Sequence, residues 1–472
     1  MSEPADLARF TGTLRQHADF FDRAKPVFIA RAPGRLDVMG GIADYSGALV
    51  LELPLATATF VAAQRSDDRM VTVRTLRADD LLAQAIVDVP LRALVPNEGA
   101  IEYAAAQRLL ASEPRTRWAA YVIGAIIVLA REHGAAFGSG LRLLVDSAVP
   151  PSKGVASSAA LEVATMRALC AMHDVPLEGR SLALACQLVE NVIVGAPCGV
   201  MDQMTSACGE AGRLLAIECQ PAELRGFAAV PRELELWGID SGIRHEVGGA
   251  GYGDVRVAAF MGYRIIAEAA GLRATPAADD GHVRISDQRW HGYLANLTPR
   301  EWKREYRERV PSSMVGYDFL ARFGGITDDA TRVDPARTYA VRQATAHPIH
   351  ENDRVRRCRE LLDRGATTEA DRRALGELMF ESHASYGACG LGSSGTDRIV
   401  ELVRKSEHGL YGAKITGGGS GGVVAVLART GSRARVAEIA SRYARESGRE
   451  TRVLGGSSDG AMSFGVREYR LP

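Results

Sequence analysis

The stretch Pro150–Ala160, with the sequence PPSKGVASSAA, constrains the fold of this chain more than any other. An alternating apolar run, Leu141–Val149, precedes it and predicts a strand, and a run with helical spacing, Ala160–Cys170, follows. A helix that begins directly after such a loop offers free backbone N–H groups and the positive end of its dipole to an anion, most often phosphate. The hydroxyls of Ser157 and Ser158 add ligands for a phosphate oxygen or a Mg²⁺ ion. The alternative interpretation is an ordinary helix start capped by serine.

Composition and charge exclude several classes of protein. The chain has 472 residues, of which 46% are hydrophobic and 24% charged, as is usual for globular proteins of two or three domains. The 57 basic and 57 acidic residues give zero formal net charge, which argues against nucleic-acid and membrane-surface partners. Seven cysteines without a C-x-x-C pair indicate reduced thiols rather than a disulfide framework or zinc site. The first twenty residues have no signal-peptide pattern, and the longest apolar run, Trp118–Ala130, is too short to span a bilayer, so we expect a cytoplasmic protein.

A second glycine-rich segment, Ala32–Gly47, follows a predicted strand at Val27–Ala32. Its glycines indicate tight turns or a close approach of the backbone to a ligand. Arg35 and Asp44 lie among them, so the segment is either a solvated loop or a substrate-binding loop. We favour the binding loop, in which Arg35 faces an anion and Asp44 faces hydroxyl groups.

A third glycine-rich loop lies near the end of the chain, within Leu410–Leu427. A predicted strand enters a loop with five glycines, Gly417–Gly422, and a second strand leaves it. The pattern is typical of a flexible hairpin or of a loop that clasps a ligand, and the flanking strands favour the latter.

Asp202 is a further candidate because its sequence neighbours include Met201 and Met204. A carboxylate in apolar surroundings is either paired or functional, although an aspartate also commonly caps a helix.

The remaining periodicity places the candidate residues in two halves of the chain. Strands are predicted at Leu49–Pro54 and Ala58–Arg65, and a helix containing Glu190 at Leu182–Val194. We expect an N-terminal domain over residues 1–225 and a C-terminal domain over residues 226–472. The polar, aperiodic residues 276–337 are expected to form an insertion of loops and short helices in the second domain.

Together, the three loops resemble in order and spacing the three motifs of the GHMP kinase family, which includes galactokinase, homoserine kinase and mevalonate kinase. The resemblance covers nearly the whole chain. It implies an α+β two-domain fold with an N-terminal domain of the ribosomal-protein-S5-like type and a C-terminal ferredoxin-like domain, and a site between them for ATP and Mg²⁺.

Within this family the segment Gly199–Gln203 resembles the part of galactokinases that holds the catalytic aspartate. The resemblance implies Asp202 as the catalytic carboxylate and Arg35 as the arginine that works with it. It also implies that Asp44, Gly199 and Tyr252 bind the sugar and that Ser158 and Glu190 hold Mg²⁺. The implied ATP-binding residues are Gly154, Val155, Ala156, Ser157, Ser158, Gly418 and Gly419.

Two departures from galactokinases bear on the substrate. Gly41 and Ile42 stand where galactokinases have Glu-His, close to the sugar's C6 hydroxymethyl group, so a sugar without that group fits better. L-arabinose is such a sugar, and the chain resembles the kinase portion of plant L-arabinokinases. Asp37 replaces an asparagine of galactokinases and alters the charge near Arg35.

The implied activity is therefore ATP-dependent phosphorylation of the anomeric hydroxyl of L-arabinose. The alternatives are a galactokinase, another sugar or uronic-acid 1-kinase, and a non-catalytic sugar and ATP sensor. The expected partners are a sugar and ATP only, and the chain is expected to be a monomer or homodimer.

Overall fold

The structure is a computed structural model that describes residues 5–78, 83–96, 99–244, 250–277, 281–406 and 409–472. The strands are β1 Val27–Met39, β2 Leu49–Ser66, β3 Met70–Thr75, β4 Ile86–Pro90, β5 Gly140–Ser147, β6 Arg213–Glu218, β7 Glu223–Ala229, β8 Leu234–Asp240, β9 Ala274–Pro276, β10 Val283–Ile285, β11 Met314–Val315, β12 Thr338–Tyr339, β13 Leu410–Ile415, β14 Val423–Arg429, β15 Val453–Gly455 and β16 Val466–Tyr469. The longer α-helices are α1 Ala5–Gln16, α2 Tyr103–Leu110, α3 Ala120–His133, α4 Ser157–Met172, α5 Gly179–Leu188, α6 Met201–Cys208, α7 Ala250–Ala269, α8 Gly316–Phe323, α9 Val341–Asp363, α10 Glu369–Ala388, α11 Ser394–Arg404 and α12 Arg433–Ser447.

Shorter helices connect these elements. Single α-helical turns lie at Leu91–Leu94, Pro299–Glu301 and Ala461–Phe464. The 3₁₀ helices are Ala18–Phe20, Gly41–Ser46, Arg117–Ala119 and Leu294–Asn296, and the π-helical segments are Val189–Val194 and Trp302–Tyr306. Within the described ranges, no helix is both long and apolar enough to cross a membrane.

The larger sheet contains β1, which carries Arg35, and its neighbour β2. Its order is β16-β1-β2-β5-β3-β4, with β6 added to β2 and β7 added to β6. Among the described strands of this sheet, β3 and β5 pair in parallel and the other pairs are antiparallel. Helices α3 to α6 pack on one face through a large apolar core. The sheet therefore supports both helix α4, which follows the loop at Pro150–Ala156, and helix α6, which carries Asp202.

The smaller sheet has the order β13-β14-β8-β15, with antiparallel pairing throughout the described strands. A core on one face includes residues of α11 and α12. The core on its other face joins apolar side chains of both sheets, including Leu36 of β1 and Leu236 of β8. Burial of this shared apolar surface holds the third glycine-rich loop against the first two.

The chain crosses between its two halves more than once. β7 belongs to the larger sheet although it extends past residue 225, so the expected domain boundary falls inside a strand. The last strand, β16, also returns to the larger sheet, where it pairs with β1.

The described residues between 276 and 337 contain short strands in addition to the expected loops and short helices. Two short strand pairs, β9–β10 and β11–β12, are present beside the predicted short helices. Trp290, Trp302 and Phe319 are buried in one core with residues of α7 and α9. The aromatic side chains of this segment thus anchor it to the helix that carries Tyr252.

Several predicted elements differ in extent. The strand predicted at Val27–Ala32 continues to Met39, because its antiparallel pairing with β2 resumes beyond Pro33 after a register shift. Arg35 is therefore on a strand and not in a loop. The two strands predicted at Leu49–Pro54 and Ala58–Arg65 are one long strand, and the last predicted strand, Ser463–Arg467, is replaced by a helical turn followed by β16.

Candidate active site

Arg35 is placed by irregular pairing of two strands. The β1–β2 register shifts between Pro33 and Arg35, and such irregularities locally re-aim side chains. The guanidinium is only 2% exposed and donates two hydrogen bonds to Asp202 Oδ1, from Nε at 2.9 Å and from Nη2 at 2.5 Å. Its Nη1 donates to the carbonyl of Gly154 at 2.8 Å, which ties the loop at Pro150–Ala156 to the same arginine.

Asp202 is the second residue of helix α6, whose N-cap is Val200, so the helix-cap interpretation of this aspartate is wrong. The side chain is 23% exposed and lines the main cavity. Both hydrogen bonds from Arg35 fall on Oδ1, and among the described residues none donates to Oδ2. Asp202 therefore presents one oxygen to the cavity while the other is held by a cation.

The turn Gly41–Ser46 carries Ile42 and Asp44 into the cavity wall. Tyr45 N–H donates to Asp44 Oδ1 at 2.6 Å. Asp44 also lies directly over Gly199, where a Cβ atom would come within 1.6 Å of Asp44 Oδ2. Position 199 is thus restricted to glycine by the carboxylate above it.

Side chains of α9 and α10 accept hydrogen bonds from backbone N–H groups in and beside this turn. Glu351 Oε1 accepts from Gly40 N–H at 3.3 Å, Asn352 Oδ1 accepts from Leu49 N–H at 3.0 Å, and Tyr386 Oη accepts from Ile42 N–H at 2.8 Å. The stretch His347–Asn352 therefore shapes the first motif without lining the cavity.

Gly41 does not line the cavity, in contrast to its predicted role in substrate binding. Its φ is +45°, and a Cβ atom there would lie 1.7 Å from Tyr386 Oη and 2.6 Å from Asp37 Oδ2. The space that a side chain at position 41 would need is occupied by Tyr386. Of the pair Gly41–Ile42, only Ile42 contributes to the wall.

The loop at Pro150–Ala156 has left-handed backbone at three residues, two of which are not glycine. Ser152, Gly154 and Ala156 all have positive φ, at 56°, 68° and 60°. Helix α4 begins at Ser157 with Ala156 as N-cap, so capping by serine is wrong as the reason for the motif. The cavity lining includes Gly154, Ala156, Ser157 and Ser158, and the start of α4 therefore faces it.

Val155 and Gly419 are predicted ATP-binding residues that are not part of this lining. Val155 is 1% exposed, and its carbonyl accepts from Arg35 N–H at 3.0 Å. In the third loop only Gly418 reaches the cavity, while Gly419 packs against Leu391. The end of the third loop packs against the second: Val423 N–H donates to the Lys153 carbonyl at 3.0 Å, and a Cβ atom at Gly422 would lie 2.4 Å from the same oxygen.

Glu190 and Ser158 both line the cavity. Gln203 Nε2 donates to Glu190 Oε2 at 2.7 Å and to Glu162 Oε2 at 3.1 Å, so one amide joins two buried carboxyl groups. No cluster of three or more His, Cys, Asp or Glu side chains suited to a metal occurs among the described residues. One carboxylate and one hydroxyl nevertheless fit Mg²⁺, which typically takes few protein ligands and completes its shell with phosphates and water.

Burial and like charges govern the titration of the site. Burial first, and the charge of Asp202 second, raise the pKa of Asp44 to about 7, and the same two causes raise the pKa of Glu190 to about 7. Burial and the charge of Glu190 hold the pKa of Glu162 well above its usual range. A bound cation or hydrogen-bond donor would therefore stabilise the ionised form of these carboxyl groups.

Asp37 forms a buried ion pair that the sequence did not suggest. Lys414 Nζ lies 2.6 Å from Asp37 Oδ2, and both side chains are fully buried. Asp37 also accepts from Gly41 N–H at 3.1 Å and from Gly417 N–H at 3.2 Å. The pair thus joins the first motif to the third and neutralises the added carboxylate.

The cavity itself has a volume of about 370 Å³ and is lined by residues from all three motifs together with Glu190, Asp202 and Tyr252. Tyr252 lies in the first turn of α7, and its ring meets Tyr45 edge-on at 6.0 Å. Residues 245–249, in the glycine-rich stretch before Tyr252, lie outside the described residues.

A second hollow of about 200 Å³ adjoins this cavity and shares Ser152, Ser157 and Ser158 with it. Trp118 and Tyr121 lie in its wall. Aromatic walls beside a phosphate loop suit a flat heterocyclic base.

Sequence reasoning missed Glu52, Glu162 and Gln203. Glu52 is fully buried, and its Oε2 lies 3.3 Å from Arg35 Nε. Its position within the apolar run LVLELPL of β2 is the signal that could have identified it, because an unpaired charge is rarely buried in a strand.

Comparisons with known proteins agree with this geometry. The family model for the GHMP kinases N terminal domain matches residues 120–210, that for GHMP kinases C terminal matches residues 360–446, and the galactokinase galactose-binding signature matches residues 15–65. An L-arabinokinase from Arabidopsis thaliana is 42% identical over 493 residues, which cover 95% of this chain but 47% of that protein, so the chain spans about half its length. A galactokinase from Chloroflexus aurantiacus is 30% identical over 432 residues, covering 91% of each chain. The crystal structure of Lactococcus lactis galactokinase complexed with galactose matches with a TM-score of 0.73 at 18% identity, over 98% of this chain and 100% of that one, which shows a shared fold.

Proposed function

The chain belongs to the GHMP kinase family, and we propose that it is an ATP-dependent sugar 1-kinase whose substrate is L-arabinose. The family resemblance drawn from the three glycine-rich loops and the α+β two-domain fold expected from it are both confirmed. The similarity to sugar kinases supports the reaction class, and the choice of L-arabinose is our own proposal.

The observation that carries the choice of sugar is the apolar wall at Ile42. Ile42 lines the cavity that also contains Asp202 and Asp44, and neither Gly41 nor Ile42 supplies the polar side chains of the Glu-His pair expected in galactokinases. Asp254 and Arg337 line the same cavity, and the comparison of sugars tests whether they bind a 6-hydroxyl. An isoleucine at this point offers no hydrogen bond to a 6-hydroxyl, whose burial without a partner would be unfavourable. L-arabinose has the ring hydroxyls of galactose without the hydroxymethyl group, so it leaves no such hydroxyl at this wall.

The transfer needs the sugar's C1 hydroxyl to attack the γ-phosphorus of ATP. The new bond joins the C1 oxygen to phosphorus, the bond from phosphorus to the β,γ-bridging oxygen breaks, and ADP leaves. Asp202 Oδ2, which receives no hydrogen bond from the described residues, accepts or orients the C1 hydroxyl proton. Arg35 holds the other oxygen and places positive charge beside the reacting groups.

The nucleotide is held by the second motif. Free N–H groups at the start of α4 and the hydroxyl of Ser157 bind the phosphates, while the hollow beside Trp118 and Tyr121 accommodates the adenine base. Ser158 and Glu190 would hold Mg²⁺, which neutralises phosphate charge when it is bound with the nucleotide. Protein positioning and electrostatics then account for most of the catalysis expected for phosphoryl transfer.

Two alternatives remain as outcomes of the test. A galactokinase or uronic-acid kinase would share the whole catalytic arrangement and differ only at the wall near Ile42. A sugar sensor is less well supported, because Arg35, Asp202 and both serines of the second motif are present and face one cavity.

The test is ADP release from Mg-ATP in the presence of L-arabinose, D-galactose, D-glucuronate or D-galacturonate, followed by ³¹P NMR of the product. We expect turnover with L-arabinose and a phosphate on C1. Binding of ATP and sugar without ADP release would contradict the kinase and favour the sensor. Phosphate on any other hydroxyl would contradict the role given to Asp202.

We expect kcat/KM for the sugar to decrease as the pH is lowered from 8 to 6. The ionised form of Asp44 accepts sugar hydroxyls, and with a pKa of about 7 it becomes protonated in this range. Stability follows the opposite sign: the folded protein retains protons on Asp44 and Glu190 that the unfolded chain releases, so their contribution to stability decreases as pH rises from about 4 to about 7. Initial rates at limiting sugar, with saturating Mg-ATP, measure the first effect, and a flat profile would contradict it.

A further inference from the structure

The segment 276–337 lies outside all three ranges matched by the family models, yet it contributes Arg337 to the wall of the cavity. It makes two arginine–carboxylate pairs with helix α7, close to Tyr252. Asp254 pairs with Arg337 in the wall of the cavity, where both side chains are partly exposed, at 39% and 43%. Arg256 pairs with Asp328, and these side chains are 7% and 6% exposed.

The buried pair has the two-point geometry of a strong charge-assisted contact. Arg256 Nε donates to Asp328 Oδ2 and Nη2 donates to Oδ1, both at 2.8 Å. Asp328 is itself fixed, because Thr331 Oγ1 donates to it at 2.6 Å and Ala330 N–H at 3.3 Å. The segment therefore sets the position of the guanidinium rigidly.

Arg256 is also part of the surroundings of the sugar-binding residues. It follows Tyr252 by four residues on α7, so both project from the same side of the helix. Its guanidinium carbon lies 5.5 Å from the centre of the Tyr45 ring. Its charge opposes the effects of burial and of Asp202 on the pKa of Asp44, and its Nη1 is buried with no hydrogen-bond partner among the described residues.

We propose that Asp328 is a positioning residue for sugar binding, which holds Arg256 against the Tyr45 ring, where its charge supports Asp44. This inference rests on the proposed sugar kinase activity and adds a role for a segment that the family models do not cover. Asp44 is buried beside the like charge of Asp202, and Arg35 is already committed to Asp202 and to Gly154. The charge of Arg256 therefore stabilises the ionised form of Asp44, and the two hydrogen bonds to Asp328 hold the guanidinium in position.

The test is the sugar KM of Asp328→Asn, measured with the full-length protein and the sugar that the unmodified protein phosphorylates. We expect it to rise about tenfold or more, the equivalent of a hydrogen bond between charged groups, while the KM for ATP stays within about twofold. Asp329→Asn is the matched control: Asp329 is the next residue, makes an ion pair with Arg284 at 3.5 Å, and is 67% exposed. Its sugar KM should be unchanged.

Further variants separate positioning from folding. Asp328→Glu keeps the charge and shifts the carboxylate by one methylene, so it should fold and still raise the sugar KM. If Asp328 acts through Arg256, the double variant Arg256→Gln/Asp328→Asn should have the same sugar KM as Arg256→Gln alone. A lower thermal midpoint with an unchanged sugar KM in the Asp328 variants would overturn the proposal. Absence of sugar turnover in the unmodified protein would instead contradict the proposed function.

Discussion

Replacing Asp202 with asparagine is expected to lower kcat by about 10²-fold or more, because the amide keeps the shape of the side chain but is a poor proton acceptor. Oδ1 is held by two hydrogen bonds from Arg35, and the second oxygen faces the cavity. The variant removes the acceptor and leaves Arg35 with an amide as its partner. The loss should therefore fall on the chemical step rather than on substrate binding.

Single-turnover rates, together with dissociation constants for ATP and sugar, measure this prediction. We expect both dissociation constants to stay within a few-fold of those of the unmodified protein. Asp329→Asn, far more exposed and also paired with an arginine, is the control for a general effect of removing a carboxylate. Near-full turnover in Asp202→Asn would show that Asp202 is not the base.

The second large effect is expected in stability, at the buried pair Asp37–Lys414. Lys414→Met should lower the free energy of unfolding by about 3–5 kcal/mol, because it leaves the carboxylate of Asp37 buried without its cation. Replacing both partners removes the unpaired charge, so Asp37→Asn/Lys414→Met should recover much of the loss. This double variant also restores the asparagine typical of galactokinases at position 37.

Urea unfolding of the two single variants, the double variant and the unmodified protein measures the coupling. Lys405→Met is the matched control, since Lys405 pairs with Glu401 on a helix surface and is 69% exposed. Its loss should not exceed about 1 kcal/mol. Equal destabilisation by Lys414→Met and Lys405→Met would contradict the account of the buried pair.

The sequence was informative where local pattern decides structure. The strand before Pro150, the helix after Ser157 and the hairpin around the third loop were all predicted, because periodicity and glycine content are local signals. The three motifs, read together, also predicted the family and several of the residues that line the cavity. Arg35, Asp202 and Asp44, predicted as site residues, line one cavity.

What the sequence did not reveal depends on contacts between distant residues. β1 continues through Pro33 and Gly34 only because β2 pairs with it on both sides. Gly41 has no free space above it because Tyr386, more than 300 residues away, fills it. The partner of Asp37 and the link from Asp328 to Arg256 are of the same kind, since neither spacing nor composition brings such residues together.

The ratio of kcat/KM for L-arabinose to that for D-galactose, at saturating Mg-ATP, tests the central claim most directly. A pocket that differs by one substituent typically discriminates by about 10–200-fold, so we predict a ratio in favour of L-arabinose of at least about tenfold. A ratio at or below one would contradict the claim, because it would mean that the 6-hydroxyl of galactose finds a partner despite the isoleucine at position 42.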